Sequence, residues 1–120
     1  MPCRKEDTVR LRHMLDYARK AVQFTQGRSR TDLGADEVLA LAIVHLVEII
    51  GEAARTISGE FRERYPEVPW DLISGTRNRL AHGYIDVDLD IIWAIVTKDL
   101  PPLIKELERI LKEEGGDAGT

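Results

Sequence analysis

A chain of 120 residues with 43% apolar and 32% charged side chains carries enough hydrophobic material for one packed core, and too much for a disordered chain. Its single cysteine, Cys3, excludes an internal disulfide scaffold and a thiolate metal cage. The net charge of −4 argues against a generic nucleic-acid coat, but it is unevenly spread: residues 1–31 carry eight Lys and Arg against three acids, and residues 86–120 carry four against nine.

The first predicted helix runs from about Thr8 to Gln26. Leu11, Met14, Leu15, Ala18, Ala21, Val22 and Phe24 mostly follow the three-four spacing of one helical face. Asp7 or Thr8 is positioned to cap it, Gly27 ends it, and Gly27 to Gly34 reads as a polar loop. The second helix runs from about Ala35 to Ile57. Leu39, Ile43, Leu46, Ile50 and Ala53 make one face, and Val38, Ala42, Val47, Ile49 and Ala54 widen it around most of the circumference. A helix that is apolar nearly all round must be covered on more than one side, which predicts a homodimer. One polar stripe remains on it, His45, Glu48, Glu52 and Arg55. The stripe reads either as a solvated strip with internal ion pairs or as a face on which His45 or a glutamate supports a site.

Ser58 reads as the cap of a short helix, Glu60 to Tyr65, stopped by Pro66. Pro69 suits the start of another, with Trp70, Ile73, Arg77 and Leu80 at helical spacing and Gly83 as its terminator. Asp88 caps the last helical segment, which runs to about Glu114 and is expected to kink at Pro101, because proline lacks the interior donor. No stretch long enough for a strand alternates with period two. The expected fold is therefore all-α: an antiparallel bundle of four to five helices forming one domain over residues 1–120, ordered from about 5 to 113, with a flexible tail at 115–120. The apolar run Val38 to Val47 is far short of the roughly 18 residues that span a bilayer. The charged N-terminus lacks the apolar core of a signal peptide, so a cytoplasmic location is expected.

Most conventional sites are missing. There is no His-Glu-x-x-His zinc motif, no phosphate-cradling glycine loop and no nucleophile elbow. Asp86, Asp88 and Asp90 read as an acidic turn and cap rather than a cation site, and Trp70 and Trp93 read as core. The segment Arg77-Asn78-Arg79-Leu80-Ala81-His82-Gly83-Tyr84 differs, because it concentrates two guanidiniums, an amide, an imidazole and a phenol in eight residues. A guanidinium fork matches two phosphate oxygens, and an imidazole moves protons near neutral pH. Composition alone leaves this segment open between a surface cluster and a phosphate site.

Arg77, four spacers, His82, one spacer and Tyr84 resembles the signature of the HepT-like toxins of the HEPN superfamily. Ile50-Gly51-Glu52-Ala53-Ala54, Tyr65-Pro66-Glu67-Val68-Pro69-Trp70, Asp86-Val87-Asp88-Leu89 and Asp99-Leu100-Pro101 resemble the same family. The resemblance implies a helical homodimer whose two motif copies meet in a cleft and cleave RNA without a metal or other cofactor. It implies His82 as general acid and base, Arg77 on the phosphate, and Asn78 orienting one or the other. Glu48 and Glu52 are supporting candidates, and Arg79 is either a candidate RNA contact or a surface cation paired with an acid. It also implies an MntA-like minimal nucleotidyltransferase antitoxin that uses ATP to place AMP on Tyr84. The alternative is a non-catalytic nucleotide- or RNA-binding partner subunit of such a nucleotidyltransferase.

Overall fold

The computed structural model describes residues 5–75 and 88–114. The described chain is helical, with no strand. Helix α1 spans Lys5–Phe24, α2 Arg30–Ala35, α3 Glu37–Thr56, α4 Gly59–Arg64, α5 Trp70–Ser74 and α6 Leu89–Ala94. A π-helical turn over Ile95–Asp99 then leads directly into α7, Leu100–Glu113. The all-α expectation holds. The predicted Gly27 to Gly34 loop does not hold throughout, since α2 begins within it.

The reason is local. Ser29 accepts a hydrogen bond from the backbone N–H of Asp32, and the Asp32 carboxylate accepts from the Ser29 N–H. Two otherwise orphaned donors are satisfied reciprocally, which is enough to start a short helix on a polar sequence. Gly27 keeps its turn role, with φ at 71°, where a side chain would be strained. Asp36 then ends α2 and caps α3, accepting from the Leu39 N–H at 3.1 Å.

Helices α1 and α3 lie antiparallel. Arg10, near the start of α1, donates to the Thr56 carbonyl at the end of α3 (3.0 Å), and Arg28, just past α1, reaches the Asp36 carboxylate at the start of α3 (3.5 Å). Helix α1 also packs against α7, with the Arg19–Glu108 ion pair on their shared surface. The core lies among these three helices and includes Leu11, Met14, Ala18, Ile43, Ile92, Leu107 and Ile110, all fully buried. Val47 and Ala54 belong to that core and not to an outer flank of α3, because α5 packs on α3 from a second side.

Asp7 is buried, and it does not cap its own helix. Its carboxylate accepts from the Ser58 N–H at 2.9 Å and from the Ser58 hydroxyl at 2.7 Å. The same hydroxyl accepts from the Phe61 N–H at the start of α4. A residue in the first turn of α1 thus fixes the cap of a helix some fifty positions later. Arg62 closes the other side of that corner by donating to the carbonyls of Ala54, Arg55 and Ile57 around the C-terminal end of α3, where carbonyls run out of α-helical donors; Ala54 also accepts from the Ile57 N–H.

The break at the prolines takes the form of a π turn. The Leu100 N–H bonds to the Ile95 carbonyl, five residues back. Pro101 and Pro102 have no N–H, so the carbonyls of Thr97 and Lys98 lose their α-helical donors. The wide turn is placed where two helical hydrogen bonds would be lost in any case.

The Tyr65 hydroxyl donates to the Glu114 carboxylate, which Arg64 also holds at 2.8 Å, tying the corner after α4 to the end of α7. Burial first, and then the bond to Glu114, push the Tyr65 hydroxyl up to about 12. A phenol with a raised pKa keeps its proton longer in the folded state. Its contribution to stability is therefore whole below pH 10 and is lost as pH rises toward 12. An ultraviolet titration of the native protein is expected to show one of its three tyrosines ionising well after a normal phenol, and Tyr65→Phe should remove that late component.

Candidate functional site

Arg77, Asn78, Arg79, His82 and Tyr84 lie outside the described residues, as does the predicted tail at 115–120. The described chain shows how the two ends of the motif segment are held. On the N-terminal side stands α5, whose first residue, Trp70, is buried and donates from its indole N–H to the Tyr65 carbonyl at 2.9 Å. The ring of Phe61 meets Trp70 edge-on at 6.3 Å and Tyr65 at 5.0 Å, so α4 and α5 share one aromatic nucleus. Trp70 is therefore core, as its place in an apolar stripe predicts.

Gly75 ends α5, and its N–H bonds to the Asp71 carbonyl at 2.9 Å. A Cβ at Gly75 would meet that carbonyl oxygen at 3.0 Å, so a larger residue there requires the backbone to give by a few tenths of an ångström. On the C-terminal side, Asp88 caps α6 as predicted. One of its carboxylate oxygens accepts from the Asp90 N–H at 2.9 Å and from the Ile91 N–H at 3.3 Å. Asp90 does not join it in a cation cluster but pairs with Arg30 at 2.6 Å, fastening α6 to α2. Among the described residues, no group of three or more His, Cys, Asp and Glu is arranged to hold a metal ion.

The polar stripe of α3 falls on its outer face. His45, Glu48, Glu52 and Arg55 are all exposed, and Arg55 donates to Glu52 at 2.5 Å. The structure thus gives Glu52 an ion-pair partner one turn away and leaves Glu48 in solvent. No described residue joins either to a buried polar network. On the same face, toward the start of α3, Val38 and Leu41 are 77% and 63% exposed. These are large apolar side chains with nothing over them. Sequence reasoning placed Val38 among the residues needing cover but did not single out Leu41.

The whole-chain comparisons extend over these elements. The family model described as Ribonuclease HepT-like matches residues 14–110, from the middle of α1 to near the end of α7, and so includes the motif segment and both its anchors.

The chain belongs to the HepT-like ribonuclease family.

Three relatives match over most of their own lengths. A protein named "Putative RNase" from Caldanaerobacter subterraneus subsp. tengcongensis is 39% identical over 104 residues, covering 87% of this chain and 93% of the relative. Another of that name from Methanocaldococcus jannaschii is 37% identical over 95 residues, covering 79% and 87%. A "Probable ribonuclease HepT" from Thermococcus cleftensis is 33% identical over 90 residues, covering 75% and 82%. No solved structure gives a significant match. Among the described residues of this HepT-like chain, no helix is long and apolar enough to cross a membrane.

Proposed function

We propose that this HepT-like chain is the toxin of a toxin–antitoxin pair, a metal-independent endoribonuclease silenced by AMP transfer to Tyr84. The observation that carries the reading is the Arg77-x4-His82-x-Tyr84 motif inside a chain that matches the family from residue 14 to residue 110.

The motif's chemistry suits cleavage at the ribose. A ribose 2′-hydroxyl attacks the adjacent phosphorus and gives up its proton. The bond to the 5′-oxygen breaks, and that oxygen takes a proton. The products are a 2′,3′-cyclic phosphate and a 5′-hydroxyl. His82 moves these protons near neutral pH. Arg77 grips the phosphate and stabilises the negative charge that grows on its oxygens in the transition state. Asn78 orients the phosphate or the imidazole, and Arg79 contacts a neighbouring phosphate. Glu48 and Glu52 are supporting residues at most, since both stand on an exposed face. Because the nucleophile belongs to the substrate, the reading requires RNA and not DNA.

A second copy of the chain supplies the partner motif. Exposed Val38 and Leu41 on α3 support this, because a helix with such an uncovered apolar face gains from association. Silencing follows from position. In the partner nucleotidyltransferase, the Tyr84 hydroxyl attacks the α-phosphorus of ATP and pyrophosphate leaves. The bulky anion this adds lies two residues from His82, where it competes with RNA phosphate for the same guanidiniums and repels it. Coexpression with a minimal nucleotidyltransferase is expected to raise the intact mass by whole AMP units and to stop RNA cleavage, and Tyr84→Phe should prevent both. An unmodified chain that is nonetheless inactive in the complex would contradict the silencing step.

The acid excess of the whole chain favours one rival, a non-catalytic subunit that only holds nucleotide or RNA for a nucleotidyltransferase. Both readings permit binding. Only the nuclease reading yields cyclic-phosphate ends.

A further inference from the structure

A cleft of about 250 Å³ opens between α3, α5, the π turn and the start of α7, with an apolar floor formed by Val47, Ile50, Ile73, Leu100 and Leu103. Leu72, on α5 at its edge, is 46% exposed. The volume is below the roughly 300–1,000 Å³ of a typical small-molecule pocket, and fits one or two inserted side chains better than a whole cofactor.

The rim has a definite charge. Among the described residues, Glu67, Asp99 and Glu106 line it, with Lys98 as the one cation. Arg109 bridges Glu67 at 2.6 Å and Glu106 at 2.7 Å, but it also bonds Glu113, so among the described residues carboxylates outnumber cations around the opening. Asp99 stands at the start of α7 without making a capping hydrogen bond. Beside it, the two prolines deprive the carbonyls of Thr97 and Lys98 of their helical donors. The rim therefore offers acceptors and negative charge around an apolar floor. Such a surface repels a nucleic-acid backbone and attracts ammonium or guanidinium groups.

We propose that this cleft is a protein-docking site for a segment of a partner protein that inserts one large aliphatic or aromatic side chain flanked by Lys or Arg. The apolar residue is buried among Ile50, Leu72, Ile73 and Leu103, and the flanking cations pair with Asp99, Glu106 and the freed carbonyls. The proposal rests on the described lining of the cleft and not on RNA cleavage.

The test uses the full chain and three synthetic peptides. The first has a central leucine between paired lysines, the second replaces the lysines by glutamates, and the third replaces the leucine by alanine. Nuclear magnetic resonance reads the backbone amides. The first peptide is expected to shift Leu72, Ile73, Lys98, Asp99, Leu100 and Leu103, and to bind at least about tenfold more tightly than the other two. Leu72→Glu and Asp99→Lys, both at exposed positions that should tolerate change, are each expected to weaken it about tenfold. Asp99→Lys should also improve binding of the glutamate peptide. Equal binding of all three peptides, shifts confined to other residues, or indifference to both substitutions would overturn the proposal. So would displacement of the peptide by an RNA oligonucleotide, which would make the cleft a nucleic-acid surface. A dimer that Leu72→Glu turns into monomer in sedimentation would assign the cleft to a second copy and equally end the proposal.

Discussion

Replacing His82 with alanine is expected to slow RNA cleavage by about 10²- to 10⁴-fold, the usual contribution of a positioned acid–base group. The loss should appear at saturating substrate, because in the proposed mechanism the imidazole moves protons in the transition state and contributes little to holding ground-state RNA. Arg77→Ala is expected to lower rate and affinity together, since in the proposed mechanism the guanidinium grips the phosphate before and during reaction. Arg77→Lys should rescue it poorly, because a point charge does not reproduce the two-pronged match to phosphate oxygens. Circular dichroism and sedimentation serve as controls. A variant that keeps its helix content and its assembly state while losing cleavage assigns His82 to the chemistry. Cleavage by His82→Ala at the parent rate would remove the imidazole from the mechanism.

The largest expected effect on stability lies at Phe61. Its side chain is 1% exposed, and its ring meets both Tyr65 and Trp70, the first residue of α5. Phe61→Ala removes that ring from a buried site flanked by Tyr65 and Trp70. It is expected to cost about 3–5 kcal/mol in urea unfolding, and Phe61→Leu should cost less because it leaves a smaller void. The effect should reach function as well. Helix α5 leads into the motif, so loosening Trp70 frees one of the segment's two anchors. Phe61→Ala is therefore expected to cut RNA more slowly even at temperatures where it stays folded. An unfolding free energy within about 0.5 kcal/mol of the parent would show that the aromatic nucleus is not what fixes α5.

The long elements were legible because each carries its own period and its own punctuation. The face Leu39, Ile43, Leu46 and Ile50 marks α3, and Asp88 announces α6 through its position before an apolar run. Helix α2 was missed, although its signal was present: Ser29 and Asp32 stand three apart in the pattern of a reciprocal cap, but the surrounding glycines and charges pointed to a loop. The role of Asp7 was not legible. A carboxylate near a helix start has an obvious local use, and only the fold shows that its partner is Ser58. The π turn follows from Pro101 and Pro102, yet a kink, a restart and a wide turn answer the same missing donors equally well. At the site the balance is reversed. The motif is explicit in the sequence, because its chemistry resides in residue types at fixed spacing. The fold contributes the anchors at Gly75 and Asp88 that hold its two ends.

The identity of the RNA ends is the most direct measurement. Purified chain is incubated in EDTA with an RNA oligonucleotide, and the fragments are weighed by mass spectrometry beside a substrate carrying a single 2′-deoxy sugar at the cut site. The account predicts 2′,3′-cyclic phosphate and 5′-hydroxyl ends, no cut at the deoxy position, and no cut by His82→Ala. Fragments ending in a 5′-phosphate, or a deoxy position cut as readily as the ribose, would contradict it.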